Sequence, residues 1–143
     1  MLVSALALVA GCSILDPLKA EESDELAVLI NYNDTSRVTV ADTVVRGTSF
    51  LVQIDTWGDY CRQTVVRTDV VVNGSVAEIR PYNHKKVVNK ETCSGDLHTL
   101  RHQPSLTINT AGPLTIRVFG QQRFPGGGGA LTSVQLQRTI VVR

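Results

Sequence analysis

QTVVRTDVVVNGSVAEIRPY, residues 63–82, reads as two β-strands joined by a tight turn, and its reading sets the class of the whole chain. Asn73-Gly74 sits near its middle, and Asn-Gly is favoured at the centre of type I′ turns because both residues tolerate positive φ. Residues 63–72 and 75–82 form the two arms. On the first, Val66, Val70 and Val72 share one face while Arg67 and Asp69 point the other way. On the second, Val76, Glu78 and Arg80 alternate with Ala77 and Ile79. Successive strand residues face opposite sides, so Arg67, Glu78 and Arg80 are expected on a solvated sheet face.

The same grammar extends in both directions. Residues 26–32 and 37–40 are short candidate strands, and Val44 precedes a turn at Arg46-Gly47. Residues 49–57 alternate cleanly, with Phe50, Val52 and Ile54 expected inward and Gln53 and Asp55 outward. Downstream, Leu106 and Ile108, then Leu114, Ile116 and Val118, mark two further inward faces. Residues 131–142 form a last long strand whose apolar face of Val134, Leu136, Ile140 and Val142 is interrupted by Arg138, so a bulge or an overhang is expected there. Residues 83–97 read as a long polar loop, and Pro125 with Gly126 to Gly129 as a flexible one. No stretch shows sustained helical periodicity. The expectation is an all-β, antiparallel sandwich of seven to eight strands.

Residues 40–120 resemble bacterial immunoglobulin-like domains. The likeness rests on a strand, a glycine turn and an alternating strand (Val44, Gly47, Phe50, Val52, Ile54), followed later by Leu106, Ile108, Gly112, Leu114, Ile116, Val118 and Gly120. It implies an immunoglobulin-like β-sandwich over residues 26–143. The cysteines at 61 and 93 and Trp57 fall outside the facing core positions of antibody domains, so the antibody cysteine–tryptophan pin is not implied.

Leu2 to Ala10 is a short apolar run ending in Val9-Ala10-Gly11-Cys12 and followed by Ser13. Nine such residues are too few to span a bilayer but suit the apolar part of an export signal. The run resembles the lipobox of bacterial lipoproteins, in which small residues precede a cysteine that is acylated and becomes the new N-terminus. The resemblance implies a signal peptide over 1–11, lipidation at Cys12, and a localisation at the bacterial cell envelope. Ser13 implies the outer membrane or the periplasmic face. The order Cys61, Pro81-Tyr82, Cys93, Leu97 also resembles that of small lipoproteins of Gram-negative bacteria, and no activity comes with that resemblance.

Charge is uneven. Asp16, Glu21, Glu22, Asp24 and Glu25 are five of the 13 acidic residues, against Lys19 as the one base in that stretch. Residues 12–25 therefore read as a solvated acidic tether. From Leu26 onward 13 basic residues face 8 acidic ones. That excess is mild and has no long run of one sign, which with export disfavours nucleic acid. With Cys12 given to lipid, Cys61 and Cys93 remain as a pair in an oxidising compartment, where a disulfide is the default and free or metal-binding thiols are the alternative.

Signals for catalysis are weak. The chain has no G-x-S-x-G elbow, and its glycine run lacks the Lys-Ser/Thr and helix of a phosphate loop. His98 and His102 are four apart with His84 upstream. On a strand, that spacing separates the two by about 13 Å, so only a loop could bring them to one metal. The main candidate is a surface patch of Arg67, Arg80, Tyr82, Lys85, Lys86, Lys90 and Arg101, in which Tyr and Arg are typical interface anchors. The sequence thus points to a non-catalytic binding or structural module, with no cofactor, held to the membrane by lipid. Its expected partner is an envelope protein or an anionic polymer. The alternative is a metal-binding envelope protein or enzyme using loop histidines.

Overall fold

The computed structural model describes residues 21–32, 35–59, 63–87, 97–123 and 130–143. Among them the chain is all-β. The strands in order are Glu21–Leu26 (β1), Val28–Leu29 (β2), Asn31–Tyr32 (β3), Thr35–Ser36 (β4), Val38–Thr39 (β5), Thr43–Val44 (β6) and Ser49–Leu51 (β7). There follow Gln53–Asp59 (β8), Thr64–Asn73 (β9), Val76–Val87 (β10), Leu97–His102 (β11), Ser105–Thr107 (β12), Gly112–Arg123 (β13) and Leu131–Val142 (β14). Cys12, Cys61, Cys93, Lys90 and Gly126 to Gly129 lie outside the described residues.

Most of the strands belong to one curled sheet in the order β1-β10-β13-β2-β8-β11, with β9 on β10 and β14 on β13. The sheet is mixed, where an antiparallel one was expected. β10 runs parallel to β13, as do β13 to β2 and β14 to β6. Local alternation fixes a strand and its faces but not its neighbour, because parallel neighbours are joined by distant chain.

The two halves of the curl are joined through residues 26–30. β1 lies antiparallel on the second half of β10, from Glu21 opposite Val87 to Leu26 opposite Tyr82. At Ala27 the chain changes neighbours. Its N–H donates to Pro81 O at 2.9 Å, and its carbonyl accepts from Gln121 N–H at 2.9 Å. Val28 and Leu29 then pair with Trp57 and Thr56 of β8. Residues 21–25, expected within a solvated tether, are therefore strand, because β10 offers them a complementary edge.

The core is built from alternate positions as the sequence predicts. Val52, Ile54, Ala77, Ile79, Leu106, Ile108, Leu114, Ile116, Val118, Ile140 and Val142 are all buried, with Phe50, Val134 and Leu136 packed against them. Each full burial of a Val, Leu or Ile side chain stabilises by roughly 1.5–3 kcal/mol. The first hairpin arm departs from expectation. Val70 packs on the core, but Val66 and Val72 are exposed. β9 is a border strand, and nothing described covers its inner face near the turn. The turn itself lies one residue later than expected: Asn73 pairs with Val76, so Gly74 and Ser75 are its central residues. Gly74 has φ 58°, which primed hairpin turns require at that position. β13 and β14 pair without interruption from Gly112–Val142 to Arg123–Leu131, so Arg138 causes no bulge. Its guanidinium instead leaves the core rim and stands 3.7 Å from Asp42.

Gly120 lets this junction form. A Cβ there would lie 2.4 Å from Leu29 Cγ and 2.8 Å from both Leu29 methyls. Gly120→Ala is expected to force Leu29 off the β13 backbone and to destabilise by about 1–3 kcal/mol, read as a lowered urea midpoint with unchanged slope.

Candidate functional site

The outward face of β9, β10 and β1 carries most of the polar chemistry. Register places Arg67 opposite Tyr82, and Asp69 opposite Arg80, on β9–β10. It places Asp24 opposite His84, and Glu22 opposite Lys86, on β1–β10. Side chains directly opposite in a ladder can meet, and here three of the four pairs do, while Asp69 and Arg80 turn to Arg67 and Glu78. The Arg67 guanidinium lies 4.0 Å over the Tyr82 ring and that of Arg80 4.5 Å over Phe119 of β13. Arg67 also reaches Asp24 at 2.7 Å and Asp69 at 3.4 Å. Arg80 reaches Glu78 at 3.1 Å, and Lys86 reaches Glu22 at 2.6 Å. His84 donates from Nδ1 to Asp24 at 2.9 Å, and its Nε2 stands 3.8 Å from Glu22.

These contacts hold two carboxyls below their ordinary range. For Glu22 the first cause is the Lys86 hydrogen bond, and for Asp24 it is the His84 hydrogen bond with Arg67 adding to it. The face therefore alternates in sign where an excess of cations was expected. Glu22 and Asp24 supply much of the balance.

Four members of the expected patch, Arg67, Arg80, Tyr82 and Lys86, are brought together. Lys85 lies between His84 and Lys86, so strand alternation turns it to the opposite side. Arg101 stands on β11, where its Nε donates to Asp55 at 2.9 Å. That contact raises the Arg101 pKa and explains why Asp55, expected outward in water, is buried. Phe119, Glu22 and Asp24 were missed. The alternation of Glu22 and Asp24 against His84 and Lys86 was the available signal, but it identifies a pair of strands only once their register is known.

The histidines separate. His98 and His102 lie on strand β11 and not in a loop, while His84 is engaged on the outer face of β10. Among the described residues no three His, Cys, Asp or Glu side chains group as a metal site. His102 is buried, at 1 % exposure, in a one-way relay between strands. Thr68 Oγ1–H donates to His102 Nδ1 at 2.9 Å, and His102 Nε2–H donates to Asn83 Oδ1 at 3.0 Å. Asn83 Nδ2–H donates to Thr56 Oγ1 at 3.4 Å, which donates to Leu100 O at 3.4 Å. These partners define the neutral Nε2–H tautomer. Burial pushes the His102 pKa down to about 4. The relay couples β9, β10, β11 and β8, so its chemistry is structural.

No protein-family model, no curated protein and no solved structure matches this chain. Among the described residues no helix is long and apolar enough to cross a membrane.

The relay carries a pH signature. The unfolded chain binds a proton at His102 near pH 6.5, and the folded one only near pH 4. Stability from this site is complete above pH 6.5 and falls as pH drops toward 4, because the unfolded state then binds more protons. Lowering pH from 7 to 5 is expected to lose about 2 kcal/mol through His102. His102→Gln is expected to flatten that slope in urea melts taken across the interval, and an equal slope in both proteins would refute the assignment.

Proposed function

We propose that the chain is a lipid-anchored protein of the bacterial cell envelope whose folded part is an immunoglobulin-like β-sandwich acting as a non-catalytic binding or structural module. One observation carries the reading: the apolar run ending in Val9-Ala10-Gly11-Cys12. A diacyl or triacyl anchor at that cysteine attaches a domain firmly, since each buried methylene contributes about 0.8 kcal/mol. The two-sided packing of the curled sheet supports the sandwich form. β8 with β5 and β11 provides one wall, and β10, β13 and β14 the other.

The binding face is the surface of Arg67, Arg80, Tyr82, Lys86 and Phe119. Guanidiniums held over rings present a flat, amphipathic surface of the kind that anchors protein interfaces. The interleaved Glu22, Asp24, Asp69 and Glu78 favour an envelope protein over a uniformly anionic polymer as partner. Cys61 and Cys93 form a disulfide in this reading. A closed loop of about thirty residues stabilises by roughly 3–4 kcal/mol in the chain-entropy model.

Intact mass spectrometry of protein recovered from bacterial envelopes is expected to show cleavage before Cys12 and an acyl mass on it. Non-reducing peptide maps should join the peptides of Cys61 and Cys93. Cys12→Ala should move the protein out of the membrane fraction. An unprocessed polypeptide with three free thiols would overturn the reading. For the binding face, reversal of charge at Arg80 and Lys86 should remove crosslinked envelope partners, with Lys85, on the other side, as the neutral control. An unchanged set of partners would exclude this face.

A further inference from the structure

The outer face of the sheet continues past the Arg67–Tyr82 surface onto β13 and β14. Val118 is buried, so its neighbours Arg117 and Phe119 face outward, as Arg123 does at the same period of two. Across the ladder Arg117 stands between Glu78 of β10 and Gln137 of β14.

Charge is distributed differently on this half. On β9 and β10, Arg67, Arg80 and Lys86 each have a carboxylate partner, in Asp24, Glu78 and Glu22. β13 and β14 hold three arginines and no Asp or Glu. Arg138 turns to Asp42, which leaves Arg117 and Arg123. Glu78 is directly opposite Arg117 but gives its carboxylate to Arg80. Among the described residues neither Arg117 nor Arg123 forms an ion pair.

Arg117 is half-buried, and its Nε–H is shielded from water with no hydrogen-bond acceptor among the described residues. Buried side-chain donors are nearly always bonded in folded proteins. A carboxylate is the strongest acceptor for a guanidinium N–H. Gln135 and Gln137 of β14 border the site with neutral amides, so that side repels no arriving anion. A uniformly anionic polymer crossing the whole face would also meet Asp69 and Glu78, whereas a short acidic segment along β13 would not.

We propose that this half of the face receives an acidic segment of a partner protein, and that Arg117 is its anchor, bonding one carboxylate through the guanidinium edge. Arg123 lies six residues along the same strand, about 20 Å away. An extended segment with carboxylates at positions i and i+6 therefore meets both cations. The inference rests on the reading of the outer face as a binding surface and names the chemistry of its partner.

The test uses the full chain and an acetylated, amidated peptide of four Glu-Ser repeats, whose extended form carries all its carboxylates on one side. Fluorescence anisotropy of the labelled peptide reads affinity, and the nitrogen–proton NMR signal of the Arg117 Nε–H reads the contact. The wild type is expected to bind this peptide, to shift that signal, and to ignore a Gln-Ser peptide. Arg117→Gln should weaken binding about tenfold. Arg117→Lys keeps the charge without the forked donor geometry and should lose part of that. Circular dichroism checks that each variant folds, and the wild-type signal needs no variant. A peptide that does not bind, a signal that does not move, or an Arg117→Gln affinity equal to the wild type would each overturn the proposal, as would tighter binding of polygalacturonate than of the peptide. Envelope crosslinks lost on reversal of Arg80 and Lys86 but kept in Arg117→Gln would overturn this inference alone. Crosslinks kept in both would remove the binding face with it.

Discussion

Leu29 resting on the bare backbone of Gly120 is the contact on which the continuity of this sheet depends. It lets residues 26–30 lie within reach of β10, β13 and β8 at once. Ala27 bonds outward in two directions only because that approach is so close. Without it, β8 and β11 would have no described backbone path to β13 and β10, since β2 is the link in the strand order. The buried methyls and the paired amides act together here. The apolar contact sets the distance, and the hydrogen bonds fix the direction.

The outer face shows how charge is organised once the strands are in place. The N-terminal acids and the cations of β9 and β10 are far apart in sequence, and composition counts them as separate regions. In the fold they stand on one surface and lower each other's free energy locally. Most of these pairs are partly exposed, where single ion pairs contribute little. Their effect is on where β1 settles, because a slip of one residue would turn Glu22 and Asp24 to the other side.

Much of the fold is legible in the sequence and much is not, for physical reasons. Alternation at 49–57 and 112–120 correctly gives Val52, Ile54, Leu114, Ile116 and Val118 as core, because burial of one strand face leaves a local period of two. The hairpin at 63–82 is likewise local, although the turn falls at Gly74-Ser75. What fails is non-local. The parallel contacts of β10 with β13 and of β14 with β6 leave no mark on either strand alone. Asp55 reads as solvated until Arg101 arrives from β11 to meet it. His102 reads as a polar loop residue, yet two neutral partners from other strands, Thr68 and Asn83, make its burial tolerable. Of the candidate site, Lys86, expected in the polar loop at 83–97, joins the face because β10 continues to Val87, and the Arg67, Arg80 and Tyr82 trio is legible because it lies on one hairpin. Phe119 and the β1 acids are not, since only register brings them there.

The geometry of β1 also has a mechanical meaning. The strand lies antiparallel to β10 over six facing pairs, and the chain enters it at Glu21. Tension applied ahead of Glu21 along the strand axis is therefore shared by the whole ladder in shear, and does not open it one rung at a time. A domain held by its leading end is braced at the strand nearest the point of pull. The interior behind Ala27 is shielded from the load until that ladder yields.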